Sequence, residues 1–192
     1  GGCSFTFGHE LSDDVQGSKP SRQSWGYRLM ADSGKFAHDN YVCVAKAGSG
    51  NSGIARRVFE AISEYKHVSC VSIMWTFVSR YDWAMPRHKH LEKTRWASIS
   101  PWDTDAGNSE AFRKLANSET QIWDWKQRQI NFEETKVKPF AESIYRYGAN
   151  DYHETYLSWK SIIWIQNLLE KKKIPYFFTL ADNTLFYQEF DR

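Results

Sequence analysis

Three short apolar runs constrain the fold of this chain more than any other feature. They read YVCVA at 41–45, VSCVSIMW at 68–75 and IPYFFTLA at 174–181. Apolar runs of this length, bounded by polar or turn-forming residues, are typical of buried strands. Segments of helical spacing separate them. The alternation of strands with helices predicts crossover connections and a parallel sheet, and therefore an α/β fold.

The helical segments show amphipathic spacing. One covers 54–65, a longer one runs from Asp151 to about Lys172, and a short one is predicted at 21–34. The apolar face of the first consists of Ile54, Val58 and Ile62, and its charged residues are predicted on the opposite face. The apolar face of the second consists of Leu157, Ile162, Trp164, Ile165, Leu168 and Leu169.

Residues 79–150 have weaker periodicity, and we interpret them as a mainly helical insertion into a single domain of 1–192. Loops are predicted at 80–90 and 98–110, and helices at 109–116, 118–129 and 138–147. Five tryptophans fall within this insertion: Trp83, Trp96, Trp102, Trp123 and Trp125. They predict either a lid that stacks sugars or a small accessory core.

The composition excludes several classes of function. A net charge of +2 over 192 residues is too small for a dedicated duplex-DNA binder, so no nucleic-acid partner is expected. No apolar run is long enough to span a membrane, and no signal peptide is visible. Three widely spaced cysteines without a C-x-x-C pair argue against a zinc knuckle and favour a reducing compartment. We therefore expect a cytoplasmic protein with no metal and no other cofactor.

Polar residues follow the predicted strands where each strand ends. In an open parallel sheet, ligands bind outside the carboxyl ends of the strands. A serine in the opening GGCSFTFGHEL would join this edge if the opening residues end a fourth strand. The residues expected to converge there are Ser4, Gly48, Asn51, Thr76 and Asp182.

Parts of the chain resemble a known family. Gly2-Cys3-Ser4-Phe5-Thr6 resembles the first conserved block of the SGNH/GDSL hydrolase superfamily, in a form common among phage-encoded members. The loop AGSGNSGI at 47–54 resembles the second block, and 153–183 resembles the helix and strand that lead to the last block. The resemblance covers about residues 1–80 and 150–185. It implies a three-layer α/β/α fold with a flavodoxin-like parallel sheet.

The resemblance also implies a mechanism. Ser4 would be the nucleophile of a serine esterase or acyl hydrolase, and its backbone N–H would be the first oxyanion donor. Gly48 or Gly50 would supply a second N–H, and Asn51 a side-chain amide. Asp182, after the last predicted strand, would orient the catalytic histidine or shape the pocket, or else form an Asx turn with Asn183. The expected substrate is a small-molecule ester or an O-acyl group on a carbohydrate.

Two places depart from the family pattern. The third block of the family reads Gly-x-Asn-Asp, whereas 75–80 here reads Trp-Thr-Phe-Val-Ser-Arg. Either a hydrogen bond from Thr76 or the positive charge of Arg80 would replace the family's asparagine. The family's base lies in an Asp-x-x-His after the last strand, and no histidine follows Asp182 here. We expect the sequence to be trimmed at both ends.

The positions of the histidines do not identify the catalytic base. His153, in the first turn of the longest predicted helix, is either a base or a surface residue, and His9 lies near Ser4 in sequence. His88 and His90 have a spacing that chelates metals on a strand, but their basic neighbours would repel a cation, so a solvated loop is predicted.

Two functions follow from these observations. One is the serine hydrolase. The other is a catalytically inactive SGNH-like binding or structural module, favoured by the missing third-block asparagine and the missing histidine. For a phage-encoded protein, the compartment would be the host cytoplasm.

Overall fold

The structure is a computed structural model that describes residues 1–8, 11–13, 19–35, 40–84, 96–104, 137–183 and 185. Some sequence predictions fall outside these residues and are not described further. They are the helices at 109–116 and 118–129, His9, the 87–90 segment, Trp123 and Trp125.

The described residues form both helices and strands, as expected of an α/β protein. In chain order the elements are α1 (Ser4–Phe7), α2 (Trp25–Asp32), α3 (Asn51–Glu64), β1 (Val71–Trp75), β2 (Tyr81–Ala84), β3 (Trp96–Ile99), a 3-10 turn (Pro101–Thr104), α4 (Val137–Ser143) continued by a π-helical turn (Ile144–Gly148), α5 (Asp151–Lys171) and β4 (Tyr176–Leu180). The chain divides into two compact units, one of Gly1–Arg80 with Asp151–Arg192 and one of Tyr81–Asn150.

The first unit is built on a parallel strand pair. β1 pairs with β4, with Val71 opposite Tyr176 and Trp75 opposite Leu180. The crossover from β1 to β4 ends in α5, which is the connection expected for parallel neighbours. The predicted strands at 68–75 and 174–181 are therefore confirmed, each trimmed to five residues.

The opening residues run alongside β1. The Gly1 nitrogen donates to the Ser72 carbonyl at 2.7 Å, and the Met74 N–H donates to the Gly1 carbonyl at 3.1 Å. This alternation is the hydrogen-bond pattern of parallel neighbours. On the other side, Lys46 N–H donates to the Gly2 carbonyl at 3.1 Å. Gly1–Gly2 thus lies between β1 and the end of the YVCVA segment.

The YVCVA segment itself does not form a regular strand. Its neighbour, Gly1–Gly2, turns into α1 at Ser4, so there is little extended backbone for a ladder to form against. Val42 is 46% exposed, and the prediction of a buried strand at 41–45 was therefore wrong for the described structure.

The core of the first unit lies where α3 and α5 pack together and against β1. A Cβ at Gly1 would lie 2.6 Å from Val58 Cγ2, which shows how closely α3 approaches the opening segment. The fully buried members of the core are Ile54, Ala55, Val58, Ile62, Ile73, Trp75, Ile162, Ile165, Leu169 and Leu185.

The buried face of α5 changes character along the helix. Its second half is apolar, as predicted, whereas its first half buries Glu154, Thr155, Ser158 and Ser161. Trp164 was predicted on the apolar face, but it is 45% exposed and its ring packs on Phe59 at 5.3 Å between centroids. The buried positions follow a seven-residue spacing that excludes position 164.

The second unit contains strands that the sequence did not indicate. β2 lies within one segment predicted as a loop, and β3 overlaps the start of another. The two strands pair antiparallel, with Tyr81 opposite Ile99. Tyr145 O–H donates to the Ile99 carbonyl at 3.2 Å, and the Phe140 ring lies 5.3 Å from Trp83. The π-helical turn and α4 thus pack on the β2–β3 pair, so the described part of this unit combines helices with an antiparallel strand pair.

Candidate active site

Ser4 lies at the carboxyl end of the opening segment. The two hydrogen bonds of Gly1 place it opposite Ile73, so Ser4 and Thr76 each come three residues after this matched pair. In the register of the Lys46–Gly2 bond, Ser4 is level with Ala47, one residue before Gly48. Neighbouring parallel strands lie about 4.8 Å apart. The register therefore brings three of the predicted site segments to one edge.

The residues around Ser4 hold α1 in place. Gly8 ends α1 in a left-handed conformation (φ 77°), and its N–H donates to the Ser4 carbonyl at 2.8 Å. Thr6 is 2% exposed and its Oγ1 accepts from Trp25 Nε1 at 3.1 Å. A Cβ at Gly2 would lie 2.6 Å from Thr6 Cβ. Gly2 and Thr6 of the motif therefore have packing roles.

A second contact supports α1 from the loop that precedes α2. Ser21 N–H donates to the Phe7 carbonyl at 2.8 Å. Ser21 Oγ donates in turn to Asp13 Oδ1, and Arg22 N–H donates to Asp13 Oδ2 at 2.8 Å. These donors, with the Ser21 hydroxyl first, lower the pKa of Asp13 below its ordinary value.

The loop before α3 is fixed by a buried arginine. Arg57 Nε donates to the Val44 carbonyl at 2.9 Å, and its Nη2 donates to Ser49 Oγ. Gly48 adopts a left-handed conformation at φ 77°, and Gly50 is the N-cap residue whose carbonyl accepts from Ile54 N–H at 3.0 Å. The glycines thus form a tight turn that leads into α3.

Asn51 links three elements. It is the first residue of α3 and is 2% exposed. Its Oδ1 accepts from Thr76 N–H at 2.8 Å, and its Nδ2 donates to the Thr76 carbonyl at 3.1 Å and to Ser158 Oγ at 3.0 Å. Both amide hydrogens are therefore engaged within the protein. In this arrangement Asn51 positions the end of β1 and has no hydrogen left for an oxyanion.

Arg80 is held over the same strand end. Its Nη1 donates to Thr76 Oγ1 at 3.1 Å, and its guanidinium carbon lies 4.8 Å from the centre of the Phe77 ring. Thr76 is 1% exposed, whereas Arg80 is half-buried. The positive charge, and not the threonine hydroxyl, therefore faces the more open surroundings.

Asp182 lies beyond the end of β4. Ala181 N–H donates to the Trp75 carbonyl at 2.7 Å, which continues the register of the strand pair past its regular part. Ala181 is therefore level with Thr76, and half-buried Asp182 comes one residue later. The predicted position of Asp182 at this edge agrees with the register.

His153 forms no hydrogen bond with Ser4 in the described part of the chain. It is exposed in the first turn of α5 and lies five residues, or about 140° around the helix, from Ser158, which contacts Asn51. Among the described residues, no histidine forms a hydrogen bond with the Ser4 hydroxyl.

Sequence reasoning missed three buried polar residues near this edge. Arg57 was placed on the charged outer face of its helix, yet it is 9% exposed. Arg57 comes three residues after Ile54, and this spacing places both residues on the same face of the helix. Ser158 and Glu154, which are 3% and 5% exposed, share a face of α5 with Ile162 and Ile165. Their spacing along this face indicates burial, although polar side chains are not ordinarily expected in a core.

Within the described ranges, no three His, Cys, Asp or Glu side chains lie close enough to hold a metal ion. None of the described helices is long and apolar enough to cross a membrane. Comparison with protein-family models, with curated proteins and with solved structures gives no match to this chain.

Proposed function

We propose that the chain is an SGNH-like serine hydrolase with Ser4 as the nucleophile. One observation carries the proposal: the hydrogen-bond register sets Ser4 level with Thr76 and one residue short of Gly48, on three adjacent segments. A nucleophilic serine needs this kind of setting, at a strand end and beside backbone donors. The resemblance of the opening motif and of the 47–54 loop to the family supports the same assignment.

The segment order supports a flavodoxin-like sheet. Going across it, the end of the YVCVA segment is followed by Gly1–Gly2, then β1, then β4. In chain order this is second, first, third, fourth, the order that places a switch point between the first and third strands. Ser4 and Thr76 flank that switch point, where α/β proteins of this class bind ligands.

The proposed reaction is acyl transfer in two stages. Ser4 Oγ attacks the ester carbonyl carbon and gives its proton to a base, forming a tetrahedral oxyanion. The carbonyl re-forms, the bond to the alcohol breaks, and the alcohol oxygen takes the proton. Water then attacks the acyl–serine ester, losing its proton to the same base, and releases the acid with Ser4 restored.

The oxyanion would be held by backbone groups. The N–H of Ser4 is the first donor, because it forms no hydrogen bond to a described acceptor. Gly48 is a better second donor than Gly50, because the left-handed turn at Gly48 is half-buried whereas Gly50 is buried as the helix cap. Asn51 and Thr76 would act by positioning. Asp182 would orient the base, which is a histidine in the family.

One observation favours a second function, a non-catalytic binding or structural module. Both Asn51 amide hydrogens are used inside the protein, and no described histidine forms a hydrogen bond with the Ser4 hydroxyl. In that case Ser4 would be a half-buried residue with no chemical role. The variant Ser4→Ala would then keep the biological activity unchanged.

Ester hydrolysis separates the two. The full-length protein is incubated with a small aryl ester such as 4-nitrophenyl acetate, beside Ser4→Ala and a matched control, Ser63→Ala, whose exposed hydroxyl donates only to its own helix. We expect turnover by the wild type and by Ser63→Ala, and loss of at least a hundredfold in Ser4→Ala, because the covalent step is removed. Equal rates in all three would support the inactive module.

A further inference from the structure

The guanidinium of Arg80 is pre-oriented by two contacts. Nη1 donates to Thr76 Oγ1 at 3.1 Å, and Cζ lies over the Phe77 ring, 4.8 Å from its centre. Stacking on an aromatic face and a fixed hydrogen bond both limit the rotation of an arginine side chain. These two contacts therefore hold the side chain in one orientation.

The acceptor that holds Arg80 is itself fixed. Thr76 is 1% exposed, and its backbone N–H and carbonyl are both bonded to the Asn51 amide. Asn51 is anchored in turn to Ser158 of α5 at 3.0 Å. The orientation of Arg80 is thus built on three elements of the first unit, and does not depend on a flexible surface side chain.

The charge of Arg80 has no acidic partner in the described part of the chain. Ion pairs in that part include Arg28 with Asp32 and Arg56 with Glu60, and no described aspartate or glutamate pairs with Arg80. A half-buried cation without a counter-charge is a ready site for an anion.

The N–H donors of the Arg80 guanidinium that remain free to bind a ligand indicate which kind of anion fits. Nη1 is used by Thr76, which leaves the edge formed by Nε–H and Nη2–H. These two parallel donors match two oxygens of one carboxylate or phosphate. A single oxyanion would use only one of them, and the backbone donors at Ser4 and Gly48 already suit that role.

We propose that the site takes an ester that carries a carboxylate or phosphate, and that the Nε–Nη2 edge of Arg80 binds this group. The ester part of the proposal rests on the proposed hydrolase, whereas the anion site does not. Arg80 is a specificity-determining residue in this account: it selects anionic over neutral substrates.

Binding and turnover are measured separately so that the two proposals can fail independently. The full-length Ser4→Ala protein, which does not consume ester, is titrated by calorimetry with 4-acetoxybenzoate, 4-acetoxyphenyl phosphate and the neutral methyl 4-acetoxybenzoate. The same titrations are made with Arg80→Gln, Arg80→Lys and Arg28→Gln added to Ser4→Ala. Arg28 is an exposed arginine of α2, so its substitution removes one charge away from the site.

We expect at least one anionic ester to bind roughly tenfold more tightly than the neutral one, as a charge-assisted bidentate contact gives. That preference should disappear in Arg80→Gln, shrink in Arg80→Lys because a lysine lacks the fork, and persist in Arg28→Gln. The stronger of the two anionic ligands identifies the group as carboxylate or phosphate. Circular dichroism confirms that each variant is folded, and Arg80→Lys decides the matter if Arg80→Gln does not fold.

Equal binding of anionic and neutral esters, or a preference that survives Arg80→Gln, would overturn the anion site. Turnover of the same esters by the protein with Ser4 intact tests the hydrolase alone. Anion binding without turnover would leave the Arg80 site standing and remove the hydrolase. Turnover without an anionic preference would support the hydrolase and overturn the Arg80 site.

Discussion

The side-chain amide of Asn51 pairs with both backbone groups of Thr76. Thr76 N–H donates to Asn51 Oδ1 at 2.8 Å, and Asn51 Nδ2 donates to the Thr76 carbonyl at 3.1 Å. The contact joins the start of α3 to the end of β1 across 25 residues of sequence. It substitutes for the ladder partner that the last residue of a strand would otherwise lack.

Asn51→Ala should therefore destabilise the protein strongly. It leaves the buried N–H and carbonyl of Thr76 without their partner, and each unpaired buried group costs about 1–3 kcal/mol. We expect a loss of about 2 kcal/mol or more in the free energy of unfolding, measured by urea denaturation. Ser158→Ala removes only the third contact and should cost about 1 kcal/mol. Equal losses of stability in the two variants would show that the hydrogen bonds from Asn51 to the backbone of Thr76 are unimportant.

Gly2→Ala should disturb α1. The new Cβ would lie 2.6 Å from Thr6 Cβ, so Thr6 or the start of α1 must move. Gly34→Ala is the matched control: it also has a positive φ, 63°, but its Cβ would meet nothing within 4 Å. We expect Gly34→Ala to cost about 1 kcal/mol from backbone strain alone, and Gly2→Ala to cost clearly more by thermal unfolding. Similar melting temperatures would show that the close packing at Gly2 is unimportant.

Arg57→Met should loosen the loop that carries Gly48. The variant removes the bonds to the Val44 carbonyl and to Ser49 Oγ, and leaves these acceptors near a buried methionine. We expect a loss of about 1–3 kcal/mol in urea denaturation. Arg28→Met, which breaks an exposed ion pair at 3.3 Å, should change stability by less than about 1 kcal/mol. A cost for Arg57→Met no larger than for Arg28→Met would contradict the anchoring role.

The pKa of Asp13 should reveal the contact that supports α1. Its carboxylate accepts from the Ser21 hydroxyl and from Arg22 N–H, which lower its pKa. Because the folded-state pKa lies below the unfolded one, the contribution to stability is present above the unfolded pKa. It is lost as the pH falls through the folded pKa.

Carbon-detected NMR titration of Asp13 measures this directly. We expect Ser21→Ala to raise the pKa towards its ordinary value. Ser12→Ala should leave it unchanged, because the Ser12 hydroxyl bonds to Gln23 instead. An unaltered Asp13 titration in Ser21→Ala would show that the hydroxyl does not stabilise the carboxylate.

The sequence predicted the central elements of the first unit well. Apolar runs at 68–75 and 174–181 contain β1 and β4, and the spacing of Ile54, Val58 and Ile62 located α3. These elements bury apolar side chains, and the spacing of apolar residues in the sequence directly indicates which side chains are buried. β2 and β3 were missed because short strands of mixed polarity are defined by their pairing partner, and pairing across residues 81–99 is not visible in local spacing.

The candidate site was predicted in part. Strand order alone placed Ser4, Gly48, Thr76 and Asp182 at one edge, and the hydrogen-bond register agrees. Asn51 was interpreted as a donor to substrate, because a sequence does not show whether an amide near a strand end faces a ligand or a neighbouring backbone. Arg57 illustrates the same limit, since its charge predicted an outer face although its spacing matched the core.

The reactivity of Ser4 tests the central proposal most directly. The full-length protein is treated with a fluorophosphonate probe, which forms a phosphorus–oxygen bond to an activated serine with loss of fluoride. The modified residue is located by peptide mass spectrometry, with Ser63→Ala and a known serine esterase as controls. We expect one adduct per chain, on Ser4, that is absent in Ser4→Ala and retained in Ser63→Ala. An unlabelled Ser4, with the control esterase fully labelled, would contradict a nucleophilic role for this serine.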